Sequence, residues 1–210
     1  MCSTSVTSKF DHVVRANAYH SLAAAFRQPG EWVGEEPQAL EQHFKEFGGE
    51  LAELSEKVAF AWNQAISEPQ NIEIAFAKLF LGPFEILAPP YAAIYLDTER
   101  RLMGPVSLYA ATAYAAAGLD QVGEVREIPD HIIIELEFMY FLSFSASSSE
   151  DVDFEIQQGK FWSEHLGKWL PPFAKSIAVA KVHPFYDALA QLLSKFIEYE
   201  SSLHESVTSE

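Results

Sequence analysis

The chain has 210 residues, 49% of them hydrophobic, which is enough to bury one substantial core and predicts a single domain over residues 1–210. Fourteen basic against thirty acidic side chains give a net charge of −16, which repels phosphate backbones and anionic membrane surfaces and argues against nucleic acid as a partner. The only cysteine is Cys2, which excludes an internal disulfide. No apolar run is long enough to span a bilayer, and none is typical of a secretory signal. We therefore expect a cytoplasmic protein without membrane insertion.

Apolar residues in the first third of the chain recur at helical spacing and predict three amphipathic helices. The first spans residues 10–26 in unbroken four-residue steps and ends before a Pro-Gly pair. A second helix opens at Pro37 and closes at the glycine pair 48–49, and a third spans residues 51–66. We therefore expect the chain to begin with consecutive helices.

A fourth helix carries Phe76, Leu79 and Phe80 and runs into segment 82–91, where three prolines rule out a continuous helix. That segment also holds several large apolar side chains, which a loop exposes only if they are packed or await a partner. Because prolines stiffen the loop before binding, little ordering entropy is lost when a peptide docks. The alternative is that these aromatic residues are simply core.

The middle of the chain predicts two further helices. Residues 106–117 are rich in alanine and bounded by glycine and proline. Residues 132–144 are apolar on nearly every face, but the run is too long for an ordinary strand, and Glu135 and Glu137 do not fit a parallel sheet. We interpret the run as the central helix of a bundle, followed by a serine-rich loop or hinge over residues 143–150.

The last third of the chain continues the helical pattern. Five residues on one face are interpreted as core contacts without chemistry: Phe161, Trp162, His165, Leu166 and Trp169. Pro171 and Pro172 are expected to turn the chain, and Pro184 to start the last helix. No alternating strand pattern intervenes, so the predicted fold class is all-α, a single-domain helical bundle whose ends, residues 1–8 and 204–210, fray.

An acid and an imidazole stand at the start of the predicted central helix. Asp130 either caps that helix or offers its carboxylate to a cationic partner. His131 and Glu135 are four residues apart, as two metal ligands or an acid–base pair would be. Two ligands make a poor metal site, and neither a nucleophile motif nor a phosphate-binding loop accompanies them, so we expect no metal, cofactor or catalytic centre. If Glu135 and Glu137 are buried, His131 or an arginine could satisfy them.

Four groups of residues, in this order and spacing, are specific in combination. They are Phe76, Leu79, Phe80, Gly82 and Pro83 followed by Pro89, Pro90, Tyr91, Tyr95, Leu96 and Asp97; Pro129, Asp130 and His131 with Glu135, Phe138 and Met139; His165, Leu166 and Trp169; and His183, Pro184, Phe185 and Tyr186. Over about residues 9–200 the chain resembles the TorD/DmsD family of redox-enzyme maturation chaperones, closest in type to the dimethyl sulfoxide reductase member.

The resemblance implies an all-helical cytoplasmic chaperone of anaerobic respiration. Such a chaperone binds the twin-arginine signal peptide, and the apo form, of a molybdenum-cofactor oxidoreductase and holds it back from export until the cofactor is inserted. The implied signal-peptide-binding residues are Tyr19, Phe76, Leu79, Phe80, Pro83, Pro90, Tyr91, Pro129, Asp130 and His131, with Glu135 in a supporting role. Phe76 and Tyr91 replace tryptophans of the dimethyl sulfoxide reductase member, which keeps the aromatic character.

The physical chemistry of the chain agrees with that role. A twin-arginine leader joins two guanidinium groups to an apolar stretch, and its complement is a carboxylate beside an aromatic groove on an acidic protein. We expect Asp130 to pair with arginine, and Phe76, Phe80 and Tyr91 to meet the apolar stretch. Two alternatives stay open: a metal-dependent or acid–base enzyme centred on His131 and Glu135, and a helical scaffold that binds only folded oxidoreductase. The protein is expected to be a monomer or a domain-swapped dimer.

Overall fold

The computed structural model describes residues 9–29, 36–82, 85–119, 127–148 and 153–207. Ten α-helices follow in chain order: α1 (Lys9–Ala25), α2 (Glu36–Lys45), α3 (Gly49–Ala65), α4 (Pro69–Phe76), α5 (Ala93–Leu96), α6 (Pro105–Ala116), α7 (Ile132–Ser148), α8 (Asp153–Phe161), α9 (Gly167–Ala180) and α10 (Pro184–Val207). Two π-helical turns, Ala77–Leu81 and Trp162–Leu166, extend α4 and α8. The all-α prediction is confirmed, and none of the described helices is long and apolar enough to cross a membrane.

The core is built around α7, which shares the most extensive helix–helix interface of the described fold with α1 and is covered on another side by α8. This coverage explains why the sequence of α7 is apolar on nearly every face, and the helix prediction for that run is confirmed. The last helix, α10, packs against α3 and α9. At its centre the core is aromatic: Phe80 contacts Phe26, Phe173 and Tyr186 through ring centroids 5.5–6.2 Å apart.

The serine-rich prediction is wrong over residues 143–148, which continue α7, while residues 149 and 150 lie outside the described residues. The hydroxyls of Ser143 and Ser148 donate to the carbonyls of Met139 and Phe144, 2.8 and 3.0 Å away, within the helix. Ser143 is also fully buried and accepts a hydrogen bond from Gln158 of α8. These serines remain helical because their hydroxyls donate to carbonyls of α7, and because Ser143 also bonds to the neighbouring helix α8.

Two further expectations are corrected. Pro171 and Pro172 do not turn the chain but lie inside α9, just after a π-helical turn. Their missing N–H groups remove two backbone hydrogen-bond donors from α9, and the helix nevertheless continues to Ala180. The C-terminal helix does not fray at residue 204 but continues to Val207, and the His204 ring stacks on Trp162 at 5.8 Å. Residues 1–8 and 208–210 lie outside the described residues.

Candidate functional site

The structure brings together the loop after α4 and the start of α7. The N–H of Ala92 donates to the carbonyl of Asp130, and the N–H of Ile132 donates to the carbonyl of Pro90, both at 2.9 Å. These bonds form an isolated antiparallel bridge between Tyr91 and His131. We call this contact the Tyr91–His131 junction. It joins the two segments that the sequence analysis selected from separate parts of the chain.

Asp130 lies beneath the junction and is fully buried. One carboxylate oxygen accepts the N–H of Ala93 at the start of α5, at 2.8 Å. The other accepts the hydroxyl of Ser107 in α6, at 2.6 Å. Asp130 therefore ties α5 and α6 to the start of α7 and does not cap α7 itself. A guest arginine would reach this carboxylate only by displacing these donors.

His131 provides the cap that Asp130 does not. Its Nδ1 accepts the backbone N–H of Ile133 at 3.3 Å, so the neutral ring carries its proton on Nε2. Burial lowers the pKa of His131, and the charges of Glu127 and Asp130 oppose the shift only in part. The edge of the imidazole meets the Tyr91 ring at 5.1 Å. Both rings are half-buried, which makes them the accessible aromatic part of the junction.

Glu135 faces the interior and does not pair with His131. Its fully buried carboxylate accepts the indole N–H of Trp169 at 2.8 Å and lies 2.6 Å from Nε2 of His165. Burial raises the pKa of Glu135, while the hydrogen bonds from His165 and Trp169 oppose the shift. The expectation that His131 satisfies Glu135 is therefore wrong. Within the described ranges, no group of three or more His, Cys, Asp or Glu side chains is placed to hold a metal ion.

The predicted aromatic groove residues are mostly buried. Phe76, Leu79 and Phe80 are between 0% and 7% exposed, and the Phe76 and Phe80 rings pack edge-on at 5.1 Å. Tyr19 is fully buried in the core, where it packs on Phe196 of α10 at 5.1 Å. Pro90 and Pro129 are buried as well, and Pro83 lies outside the described residues. These side chains are buried and do not line an open groove.

Exposed apolar side chains lie at the end of the π-helical turn after α4 and on the loop that leads from it to the junction. Leu81, Ile86 and Leu87 are 54%, 38% and 40% exposed. The loop is held against the π-helical turn by the N–H of Ala88, which donates to the carbonyl of Leu79 at 2.8 Å. Gly82 has φ 55°, and a Cβ there would lie 3.0 Å from the carbonyl oxygen of Glu85, so this position requires glycine. The described part of the loop thus has a fixed shape with an apolar surface.

A shallow pocket of 290 Å³ lies beside the junction. It is lined by Arg27, Glu127, His131, Ile133, Ile134 and Glu137. Nη2 of Arg27 donates to Oε1 of Glu137 at 2.7 Å, and the two side chains are 40% and 39% exposed. An arginine does pair with Glu137, although Glu137 is not buried as that expectation assumed. Sequence reasoning did not select Arg27, because it lies 110 residues from Glu137 and no local spacing indicates the pair.

Comparison with known proteins identifies the family. The family model for the nitrate reductase delta subunit matches residues 38–175. The chaperone protein TorD of Psychrobacter sp. (strain PRwf-1) is 33% identical over 153 residues, which cover 69% of this chain and 68% of that relative. The chain belongs to the TorD/DmsD family. A second relative, the Tat proofreading chaperone DmsD of Salmonella typhi, is 30% identical over 123 residues, covering 59% of this chain and 57% of the relative.

A solved structure supports the same TorD/DmsD-like fold. A protein of Archaeoglobus fulgidus described as a redox enzyme maturation protein superposes with a TM-score of 0.55 at 24% identity, covering 87% of this chain and 93% of the other. The resemblance to the TorD/DmsD family drawn from the sequence is confirmed, while a closer likeness to its dimethyl sulfoxide reductase member stays a prediction. As a TorD/DmsD-family protein, the chain is a molybdoenzyme maturation chaperone, and its partner is a redox enzyme. It is not an enzyme, so the alternative of a catalytic centre at His131 and Glu135 is wrong.

Proposed function

We propose that this chaperone acts in the cytoplasm, where it binds the twin-arginine signal peptide, and the apo form, of a molybdenum-cofactor oxidoreductase. It holds that enzyme back from export until the cofactor is inserted. The observation that carries the proposal is the Tyr91–His131 junction, a preformed surface with two accessible rings. Exposed apolar side chains lie in the segment that leads into the junction, and His131 of the junction also lines a pocket that contains two carboxylates.

The proposed site residues have two kinds of role. Tyr91 and His131 contact the peptide directly, because their rings are the accessible ones. The buried members act indirectly, through the packing of the core and the hydrogen bonds at the junction: Tyr19, Phe76, Leu79, Phe80, Pro90, Pro129 and Asp130, with Glu135 in support. Pro83 is retained in the proposed site as a stiffening residue of the loop. Such a preformed surface loses little entropy when an extended peptide docks.

The charge of the chain supports a cationic guest. With a net charge of −16, the chaperone attracts a leader that carries two guanidinium groups and repels anionic competitors. Most of that attraction is long-range and should weaken as salt is added. Arginine specificity must therefore come from short-range contacts at the junction and its pocket.

Calorimetry with a synthetic peptide tests the proposal. The peptide carries two adjacent arginines followed by an apolar stretch, and its matched twin carries lysines at both positions. We expect the arginine peptide to bind more tightly, and Tyr91→Ala to weaken it roughly ten-fold, as for an aromatic anchor at an interface. Phe60→Ala is the control, because Phe60 is an aromatic residue 68% exposed on α3.

Two results would contradict the proposal. One is the absence of any binding that depends on the arginine pair. The other is equal loss of affinity in the Tyr91→Ala and Phe60→Ala variants. A protein that ignored the peptide but retained the oxidoreductase after deletion of its leader would instead be a scaffold for folded enzyme.

The oligomeric state belongs to the same proposal, a monomer or a domain-swapped dimer. Since α7 is helical through Ser148, a hinge for helix exchange would have to follow that residue. Light scattering during size-exclusion chromatography distinguishes the two states. A swapped dimer should separate only slowly on dilution, because exchange requires partial unfolding.

A further inference from the structure

We propose that Arg27 is an internal competitor for the guest arginine. In the free chaperone the Arg27 guanidinium binds the carboxylate of Glu137. When the signal peptide docks, one of its arginines takes the place of Arg27 at Glu137, in the pocket beside His131. The inference rests on the proposed function and deepens it, because it assigns arginine recognition to Glu137 instead of Asp130.

Accessibility selects Glu137. Between residues 127 and 148 the chain has four carboxylates. Asp130 and Glu135 are fully buried, and each is engaged by two donors of the protein itself. Glu127 is exposed and Glu137 is 39% exposed, and both line the pocket. A peptide approaching from solvent therefore meets these two carboxylates first.

The bond between Arg27 and Glu137 already has the chemistry that a guest arginine would reproduce. A guanidinium nitrogen lies 2.7 Å from a carboxylate oxygen in a setting that is about two-fifths exposed. Exposed ion pairs of this kind contribute little to stability, so the partners can exchange without disturbing the fold. Arg27 follows the end of α1, and neither side chain is buried in the core.

The position of the pocket connects this exchange with the apolar contacts. His131 belongs to both the junction and the pocket, and Ile133 and Ile134 complete the pocket wall. A peptide that crosses the junction can place apolar side chains on Tyr91 while its arginine enters the pocket. The ring of His131 is neutral as the cap of α7, so Arg27 is the one cation among the six lining residues.

Competition of this kind produces selectivity. A lone cation must displace Arg27 from Glu137 and gains only a similar bond in return. A ligand that adds apolar contacts at the junction has further binding energy to drive the displacement. Removing Arg27 should therefore strengthen binding of any cationic peptide and narrow the difference between arginine and lysine.

The test is calorimetry with Arg27→Met, which keeps an unbranched stem without the charge. We expect the arginine peptide described above to bind roughly two- to five-fold more tightly, and the preference over the lysine peptide to shrink. Arg27→Lys retains the charge and should bind like the parent protein. Glu137→Gln should weaken binding of the arginine peptide and abolish the gain in the double variant. Lys195→Met is the matched control, because it removes one exposed positive charge from α10, where Lys195 pairs with Glu198.

Each outcome decides the inference. If Arg27→Met binds the arginine peptide no more tightly than Lys195→Met does, any gain is a general effect of charge and the inference is overturned. The proposed function would still stand in that case, provided that the parent protein binds the peptide through its arginines. Weaker binding by Arg27→Met also overturns it, because Arg27 would then support the guest. If the parent protein binds neither peptide, both the proposed function and the inference fail. Thermal melting of every variant verifies that the fold is intact.

Discussion

Replacing Asp130 with asparagine separates a structural role of this carboxylate from direct contact with the peptide. Asp130 accepts two buried hydrogen bonds, at 2.8 Å from the N–H of Ala93 and at 2.6 Å from the hydroxyl of Ser107. Asparagine can still accept one of these bonds and donate to the rotated hydroxyl, so the change replaces charged hydrogen bonds with neutral ones. We expect Asp130→Asn to lower the free energy of unfolding by about 1–2 kcal/mol. Asp130→Ala leaves both donors unpaired and should lower it by about 2–5 kcal/mol.

Urea unfolding followed by circular dichroism measures both losses. Calorimetry at two salt concentrations then measures the affinity of folded Asp130→Asn for the arginine peptide. Since the carboxylate is fully buried, we expect the affinity and its salt dependence to stay close to those of the parent protein. Glu99→Gln is the control, because it removes one negative charge from a side chain that is 66% exposed.

The opposite pattern would refute this reasoning. If Asp130→Asn leaves the free energy of unfolding unchanged but weakens the peptide and flattens its salt dependence, the carboxylate faces the guest. The junction would then open when the peptide binds, and the hydrogen bonds from Ala93 and Ser107 would be features of the free chaperone alone.

Four other predictions concern buried charge and the junction. Burial alone would raise the pKa of Glu200, but Arg15 and His204 lower it from 4.5 to about 2. The contribution of Glu200 to stability is therefore complete above pH 4.5 and is lost as the pH falls towards 2. In urea unfolding at different pH values, the free energy of unfolding should change by about 3 kcal/mol over this range. Glu200→Gln leaves Arg15 buried without a counter-charge and should lower the free energy of unfolding, measured in urea, by about 3–5 kcal/mol. A loss as small as that of an exposed ion pair, about 0–1 kcal/mol, would contradict this account. Glu135→Gln replaces a carboxylate that faces two donors and should lower the free energy of unfolding by about 1–3 kcal/mol without altering peptide affinity. A loss of affinity in calorimetry without a loss of stability would disprove a purely structural role. His131→Asn keeps a side chain that can cap α7 but removes the ring that meets Tyr91. The melting temperature should therefore change little, while the affinity for the arginine peptide falls several-fold. Unchanged affinity would show that His131 does not contact the peptide.

The helices were predictable from the sequence because their signals are local. Apolar spacing, prolines at helix starts and a glycine pair after α2 indicate most of the helices without knowledge of the partners. The serine-rich end of α7 and the proline pair of α9 were mispredicted because their outcome depends on contacts with neighbours. Ser143 is buried against Gln158 of α8, and the proline pair follows a π-helical turn that no local pattern indicates.

The details of the site were less predictable than the fold. Because α7 is apolar on nearly every face, its periodicity does not show that Glu135 points inwards and Glu137 towards solvent. The partners of the buried carboxylates lie 23 to 37 residues away along the chain, and Arg27 lies 110 residues from Glu137. Residue types therefore indicated which segments meet, but only the structure shows which side chains remain accessible there.

The two main-chain bonds of the junction, and the one that holds the loop before it, also make this surface observable in solution. The amides of Ala88, Ala92 and Ile132 donate to carbonyls of Leu79, Asp130 and Pro90, although the first two lie in a loop and the third at a helix start. Such amides should exchange with deuterated water more slowly than neighbouring loop amides, and a bound ligand that braces the junction should slow them further. Deuterium exchange at these three amides would thus report docking residue by residue.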